Sequence, residues 1–189
     1  MRKIFIAGSR RLSRLSADVK RRIDTMVEKG FTILVGDANG ADKAVQRYLT
    51  EKGYRNVIIH CMAGNCRNNI ANWPTREVAP PPGARGFAYY AAKDQAMVDA
   101  AEYGLMIWDG ESKGTLNSVI NMIRDCKPVV VYLAPRSAFQ SLRSIEDLAD
   151  LLSKCDPATV QRFERELSIE RAFSRPNETI RAAQSNNRL

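Results

Sequence analysis

No stretch of this chain approaches the ~18 consecutive apolar residues of a membrane span. The opening MRKIFIAGSRR has too short an apolar run for a signal peptide before arginines interrupt it. A cytoplasmic protein with no membrane partner is therefore expected. The four cysteines, Cys61, Cys66, Cys126 and Cys155, form neither a CxxC pair nor a dense framework, so reduced thiols are expected rather than disulfides. Cys61 and Cys66 beside His60 are the one hint of a metal site, and no metal is expected. Neither GxGxxG nor GxxxxGK[ST] occurs, which removes the common dinucleotide and P-loop fingerprints. No cofactor is expected.

What is present is ordinary globular material. The 189 residues are 44% hydrophobic and 26% charged, enough to build a core and too apolar for wholesale disorder. The net charge of +8 is uneven: residues 1–135 hold 20 Lys and Arg against 13 Asp and Glu, whereas residues 136–189 hold 9 against 8. The N-terminal excess favours anionic partners without choosing between nucleotides and polymeric nucleic acid.

Periodicity alternates between strand and helix. KIFIAG (3–8) is a compact apolar run, and Val19, Ile23, Met26 and Val27 then fall at helical spacing before Gly30. FTILVG (31–36), a helix from Ala41 to Lys52 and NVIIHC (56–61) repeat the pattern. Residues 62–86 lack periodicity and read as a long loop. A helix from Phe87 to Glu102, YGLMIW (103–108), a helix from Thr115 to Arg124 and PVVVYLA (128–134) complete the alternation. The expectation is an α/β fold: a Rossmann-like, five-stranded parallel sheet in order 3-2-1-4-5 with helices on both faces. Residues 1–135 form that domain. Residues 136–189 form a C-terminal helical extension packed on the domain or a dimer partner, with a Ser144-x-x-Asp147 capping box, Asp156 and Pro157 opening a later helix, and a frayed tail from Asn177.

Ligands of open α/β sheets bind beyond the carboxyl ends of the strands, near the point where the order reverses. Gly8-Ser9-Arg10 follows the first strand and offers a tight turn, a hydroxyl and a guanidinium fork. Gly36-Asp37-Ala38-Asn39-Gly40-Ala41-Asp42 follows the second, with small residues and a helix start that suit an anion or a sugar. Lys93 and Asp94 sit in YYAAKDQAM, and Asp109-Gly110-Glu111-Ser112-Lys113-Gly114-Thr115 follows the fourth strand, with Lys113 and a helix N-terminus suited to phosphate.

Taken in order, IFIAGSR, VGDANGADKAV, the KDQAM helix, and LMIWDGESKGTLNSVI followed by KPVVVY resemble the SLOG superfamily, which includes the DNA-processing protein A and Lonely Guy phosphoribohydrolase branches. The resemblance spans about residues 1–135 and is nearest to small bacterial and phage-associated members. It implies a nucleotide-binding fold, commonly a homodimer, with phosphate and sugar near Gly8-Ser9-Arg10, Gly36 to Asp42 and Gly114-Thr115. The phosphoribohydrolase branch carries PGGxGTxxE. Here Ser118 stands three after Thr115 in place of that glutamate, and Glu111-Ser112-Lys113 replaces the proline-glycine lead.

Three functions follow. The first is a nucleotide or nucleotide-derivative sensor or carrier, with Arg10 and Lys113 on phosphate and Asp37, Asn39 or Asp42 on ribose. The second is an enzyme, a hydrolase or transferase acting on an N-glycosidic bond, which needs a carboxylate near the anomeric carbon and an acid for the leaving base, with Asp94, Asp109 and Glu111 as candidates. The third is nucleic-acid binding, supported by the basic excess, by Arg67, Arg76 and Arg85, and by Trp73 as a stacking group.

Overall fold

In the computed structural model, which describes residues 1–174, the apolar runs become β1 (Lys3–Gly8), α1 (Ala17–Glu28), β2 (Thr32–Gly36), α2 (Ala41–Glu51) and β3 (Val57–Met62). There follow β4 (Thr75–Val78), α3 (Gly86–Ala100), β5 (Tyr103–Trp108), α4 (Lys113–Arg124), β6 (Val129–Leu133), β7 (Ala138–Leu142), α5 (Ile145–Leu152), α6 (Pro157–Leu167) and α7 (Ile169–Ser174). The tail from Asn177, expected to fray, lies outside the described residues. None of the described helices is long and apolar enough to cross a membrane.

The sheet has seven strands in the order β4-β3-β2-β1-β5-β6-β7, parallel throughout except for the antiparallel β6–β7 pair. The expectation of five strands in order 3-2-1-4-5 is corrected, because one further strand lies at each edge. Both were hidden for the same reason. TREV (Thr75–Val78) is almost wholly exposed and AFQSL (Ala138–Leu142) fully buries only Leu142, and an edge strand with little to bury carries no apolar alternation. β4 falls inside the stretch read as a loop. β7 returns from β6 through a short 3-10 turn, Ala134–Arg136, and Ser137 in the left-handed region, a conformation that glycine or asparagine usually signals and serine does not.

Alternation along β1 assigns the two faces. Ile4 and Ile6 point into a cluster with Val19 and Ile23 of α1 and Val45 and Leu49 of α2. Phe5 points into the other, with Met97 of α3 and Leu116, Val119 and Ile120 of α4. Leu148, Leu151, Phe163 and Ile169 from the C-terminal helices join this second cluster, and Phe163 stacks on Trp108 with ring centroids 6.0 Å apart. Each such side chain contributes about 1.5–3 kcal/mol through burial. The Ser144–Asp147 capping box forms, as do the Asp156 cap and the Pro157 start of α6. Ser168 turns left-handed and separates α6 from α7. What matters for the site is the reversal at β1: its neighbours are β2 and β5, so successive crossovers depart on opposite sides and leave a crevice at the strands' carboxyl ends.

Candidate functional site

A cleft of about 510 Å3 occupies that crevice. Of the residues singled out from sequence, Gly8, Arg10, Asp42, Lys93, Asp94, Asp109, Glu111, Gly114 and Thr115 border it, whereas Ser9, Gly36, Asp37, Asn39, Gly40 and Lys113 do not. The second group mostly builds the wall from behind.

The first loop illustrates this. A Cβ on Gly8 would overlap the Ile107 carbonyl oxygen and lie 2.7 Å from the Ala41 Cβ, so glycine is what lets β1, β5 and α2 converge here. Ser9 is buried; its hydroxyl donates to Asp109 Oδ1 at 2.8 Å and accepts from the Asp109 N–H at 3.1 Å. The same Oδ1 accepts from the N–H groups of Glu111 and Ser112 at 3.0 and 2.8 Å. Asp109 is thus committed to holding its own turn. Glu111 is exposed and paired with Arg11.

The second loop is filled by the protein itself. Gly40 has φ +79°, and a Cβ there would strike the Arg10 backbone. A Cβ on Gly36 would meet the Asp42 carboxylate and lie 2.7 Å from Lys93 Nζ. Asn39 is exposed and accepts from Asn68 Nδ2 at 3.2 Å. Asp37 turns inward: it accepts from the Arg67 N–H, Nε and Nη2 at 3.1, 3.0 and 2.7 Å and from Lys93 Nζ at 2.9 Å. The N–H of Ala41 is taken by the Ser9 carbonyl, and Asp42 folds back to accept from Ala38 N–H at 3.2 Å.

Three carboxylates therefore surround one buried ammonium, and their protonation differs. Burial pushes Asp37 up, but the Arg67 hydrogen bonds and the Lys93 charge outweigh it and hold Asp37 well below the usual range. Asp42 is pushed up to about 6 by burial, against the pull of Lys93. Burial likewise raises Asp94, which borders the cleft 3.9 Å from Lys93 Nζ. For Lys93, burial alone would favour the neutral amine, and the charges of Asp42, Asp94 and Asp37 reverse that and keep it an ammonium.

The rim supplies donors and rings. The N-termini of α3 and α4 both meet the cleft, through Gly86 and Phe87 on one and Gly114 and Thr115 on the other. Ser112 caps α4 by accepting from the Thr115 N–H, and α3 has no side-chain cap. Arg10 and Arg67 both lie over the Tyr90 ring, at 5.2 and 4.9 Å from its centroid. Lys113 turns away, pairing with Glu166 at 2.9 Å and resting 4.3 Å from the Phe87 centroid.

Sequence reasoning missed Arg67 as the partner of Asp37, 30 residues away, and Phe87, Tyr90, Ser112 and Ser118 as lining. A basic residue in an aperiodic loop gives no signal of which carboxylate it will reach. Trp73, read as a stacking group, is a core anchor: it is buried and its Nε1 donates to the Tyr54 carbonyl at 2.9 Å. The expectation of reduced thiols is corrected for one pair. A turn closed by the Asn65 N–H on the Met62 carbonyl brings the Cα atoms of Cys61 and Cys66 to 5.0 Å, and they are disulfide-bonded, while Cys126 and Cys155 are free.

No family model and no curated protein matches the sequence. Among solved structures, the fold is similar to that of DNA processing protein A from Helicobacter pylori, described for its single-stranded DNA binding mode. The match has a TM-score of 0.50 at 16% identity and covers 88% of this chain and 80% of that one. The chain thus has the α/β fold of that protein, with a mostly parallel seven-stranded sheet.

Proposed function

We propose that the chain binds a nucleotide or nucleotide-derived ligand in this cleft, as a sensor or carrier of the SLOG type. The observation that carries the reading is the convergence of two helix N-termini and Arg10 on a cleft that also holds the raised carboxyl of Asp94. The helix ends and Arg10 suit a phosphate, a carboxyl suits ribose hydroxyls, and Phe87 and Tyr90 add aromatic surface to the lining, with cations already over both rings. Arg10 forms no salt bridge among the described residues, and its charge acts on the Asp94 carboxyl.

Of the three acids considered for N-glycosidic cleavage, Asp109 holds a turn and Glu111 pairs with Arg11. Asp94 is the one left facing the cleft with its carboxyl raised toward the protonated form. The test is a thermal-shift screen against nucleoside mono-, di- and triphosphates, with mass spectrometry of the recovered ligand. A ligand that binds only the native state raises the melting temperature. Intact recovery supports the sensor, and free base supports cleavage, for which Asp94 is the candidate acid. If no nucleotide stabilises the protein, the reading fails.

A second reading is favoured by the fold neighbour's single-stranded DNA binding and by the +8 charge. Polymer binding releases counterions, so affinity for an oligonucleotide should fall steeply with salt, whereas a mononucleotide held in a cleft loses less.

A further inference from the structure

The disulfide has no part in that reading, yet it lies behind the cleft wall. We propose that Cys61–Cys66 is a thiol–disulfide exchange site whose state sets how firmly Arg67 is held in the wall; only its consequence for affinity rests on the nucleotide reading.

Cys61, near the end of β3, is fully buried, and Cys66 is exposed. Arg67 is the next residue, and its own N–H donates to Asp37. One peptide unit therefore separates the disulfide from the Asp37 contact, with no slack in which a change at Cys66 can be absorbed. Both sulfurs and an Asp37 oxygen lie within 4.8 Å of one another. A divalent cation does not suit this group, because both Asp37 oxygens already accept from Arg67 and Lys93 and those two cations would face it.

Exchange does suit it. Cys66 is the exposed residue of the pair, so its sulfur is the one for an external thiolate to attack. The co-reactant is a dithiol reductant. One of its thiolates attacks Cys66 Sγ, the Cys61–Cys66 bond breaks, and Cys61 leaves as a thiolate that takes up a proton. The second thiolate of the reductant then attacks the mixed disulfide and releases Cys66, which is protonated in turn. Two electrons reach the protein, and the reductant departs as a disulfide.

Reduction loosens the turn without unfolding it. The Ala63 N–H still donates to the Val78 carbonyl at 2.9 Å and the Gly64 N–H to Glu77 at 3.3 Å. Asn68 Nδ2 still donates to the Asp37 carbonyl at 2.7 Å, but Arg67 loses its covalent tether on the Cys66 side, and the three Asp37 hydrogen bonds and the contact with Tyr90 are held less firmly.

Hydrogen exchange at the Arg67 amide reads the tether without any ligand. The full chain is compared after oxidised glutathione, after dithiothreitol, and as Cys66→Ser, with Cys126→Ser as control; alkylation under denaturing conditions counts thiols. The expected result is two alkylated cysteines in the oxidised protein and four in the reduced, with the Arg67 amide exchanging about tenfold faster when reduced or as Cys66→Ser. Four thiols after oxidised glutathione, or equal Arg67 protection in both states, overturns the proposal. Thermal shifts with AMP, GMP, CMP and UMP in both states then separate the two readings. Stronger stabilisation of the oxidised form supports the link to affinity. Stabilisation of neither form, with Arg67 protection still following redox state, leaves the exchange site and removes the nucleotide reading for these probes.

Discussion

Lys93 Nζ lies 2.9 Å from Asp37 Oδ1, with both side chains sealed from water at 3% and 1% exposure. Asp42 and Asp94 add their charge around the same ammonium. Removing one partner of a buried ion pair leaves its counterpart uncompensated, which costs about 3–5 kcal/mol. Lys93→Met is expected to lose that much in urea unfolding at pH 7. The loss should shrink at pH 5, below the value of about 6 held by Asp42, because a protonated carboxyl no longer needs the ammonium. An undiminished loss at pH 5 would show that Asp37, still ionised there, carries the pairing with Lys93 and that Asp42 adds little to it.

Two glycines of the site respond in opposite ways to the same methyl group. Gly40 combines φ +79° with the Arg10 backbone in the Cβ position, so Gly40→Ala should destabilise by more than about 1 kcal/mol. Gly114 lies in the first turn of α4 with nothing within 4 Å of a Cβ, so Gly114→Ala should be neutral or gain up to about 1 kcal/mol from helix propensity. Chemical denaturation measures both. A stable Gly114→Ala protein that binds nucleotide more weakly would place the ligand against that backbone.

The contrast shows what the sequence could and could not disclose. Buried strands such as ILV and VVVYL carried their own signal, and with them the crevice and its loops. The edge strands TREV and AFQSL bury too little to carry one. Within the site, residue type identified the polar positions but not their direction. Asp37 looks like a ribose ligand in the sequence and is instead the acceptor of Arg67 and Lys93. Small residues at Gly36 and Gly40 look like space for a ligand, and the space is taken by Lys93, Asp42 and Arg10. Both facts depend on partners dozens of residues away.

His60 and Asp42 oppose each other in their effect on acid stability. Burial lowers His60 from 6.5 to about 4, and neither ring nitrogen has a hydrogen-bond partner among the described residues. Between those values the unfolded chain binds the extra proton, so His60 makes stability rise with pH. Asp42 is raised from 3.8 to about 6; there the folded chain binds the extra proton, so Asp42 makes stability fall with pH. Each full proton is worth about 1.4 kcal/mol per pH unit. Across pH 4 to 6, relative to the parent protein, His60→Phe should tilt the stability profile downward with rising pH and Asp42→Asn should tilt it upward. Unfolding free energies at half-unit pH intervals test the pair, and parallel profiles in all three proteins would remove both assignments.

Arg10 and Lys113 were equivalent candidates for phosphate in the sequence, and the structure separates them. Arg10 borders the cleft, stacked on Tyr90 and without a salt bridge among the described residues. Lys113 is held by Glu166 at 2.9 Å, which also draws the Glu166 carboxyl below its ordinary value. To reach a phosphate it would have to give up that contact. Losing a charge-assisted hydrogen bond costs about 1.5–3 kcal/mol, so Arg10→Ala should weaken nucleotide binding by roughly tenfold or more. Lys113→Ala should change it by less than about threefold. Calorimetric titration of both variants with the nucleotide that most stabilises the parent decides the matter. Equal losses would mean that Lys113 leaves Glu166 when the ligand enters, and Glu166→Gln should then tighten binding by freeing the lysine in advance.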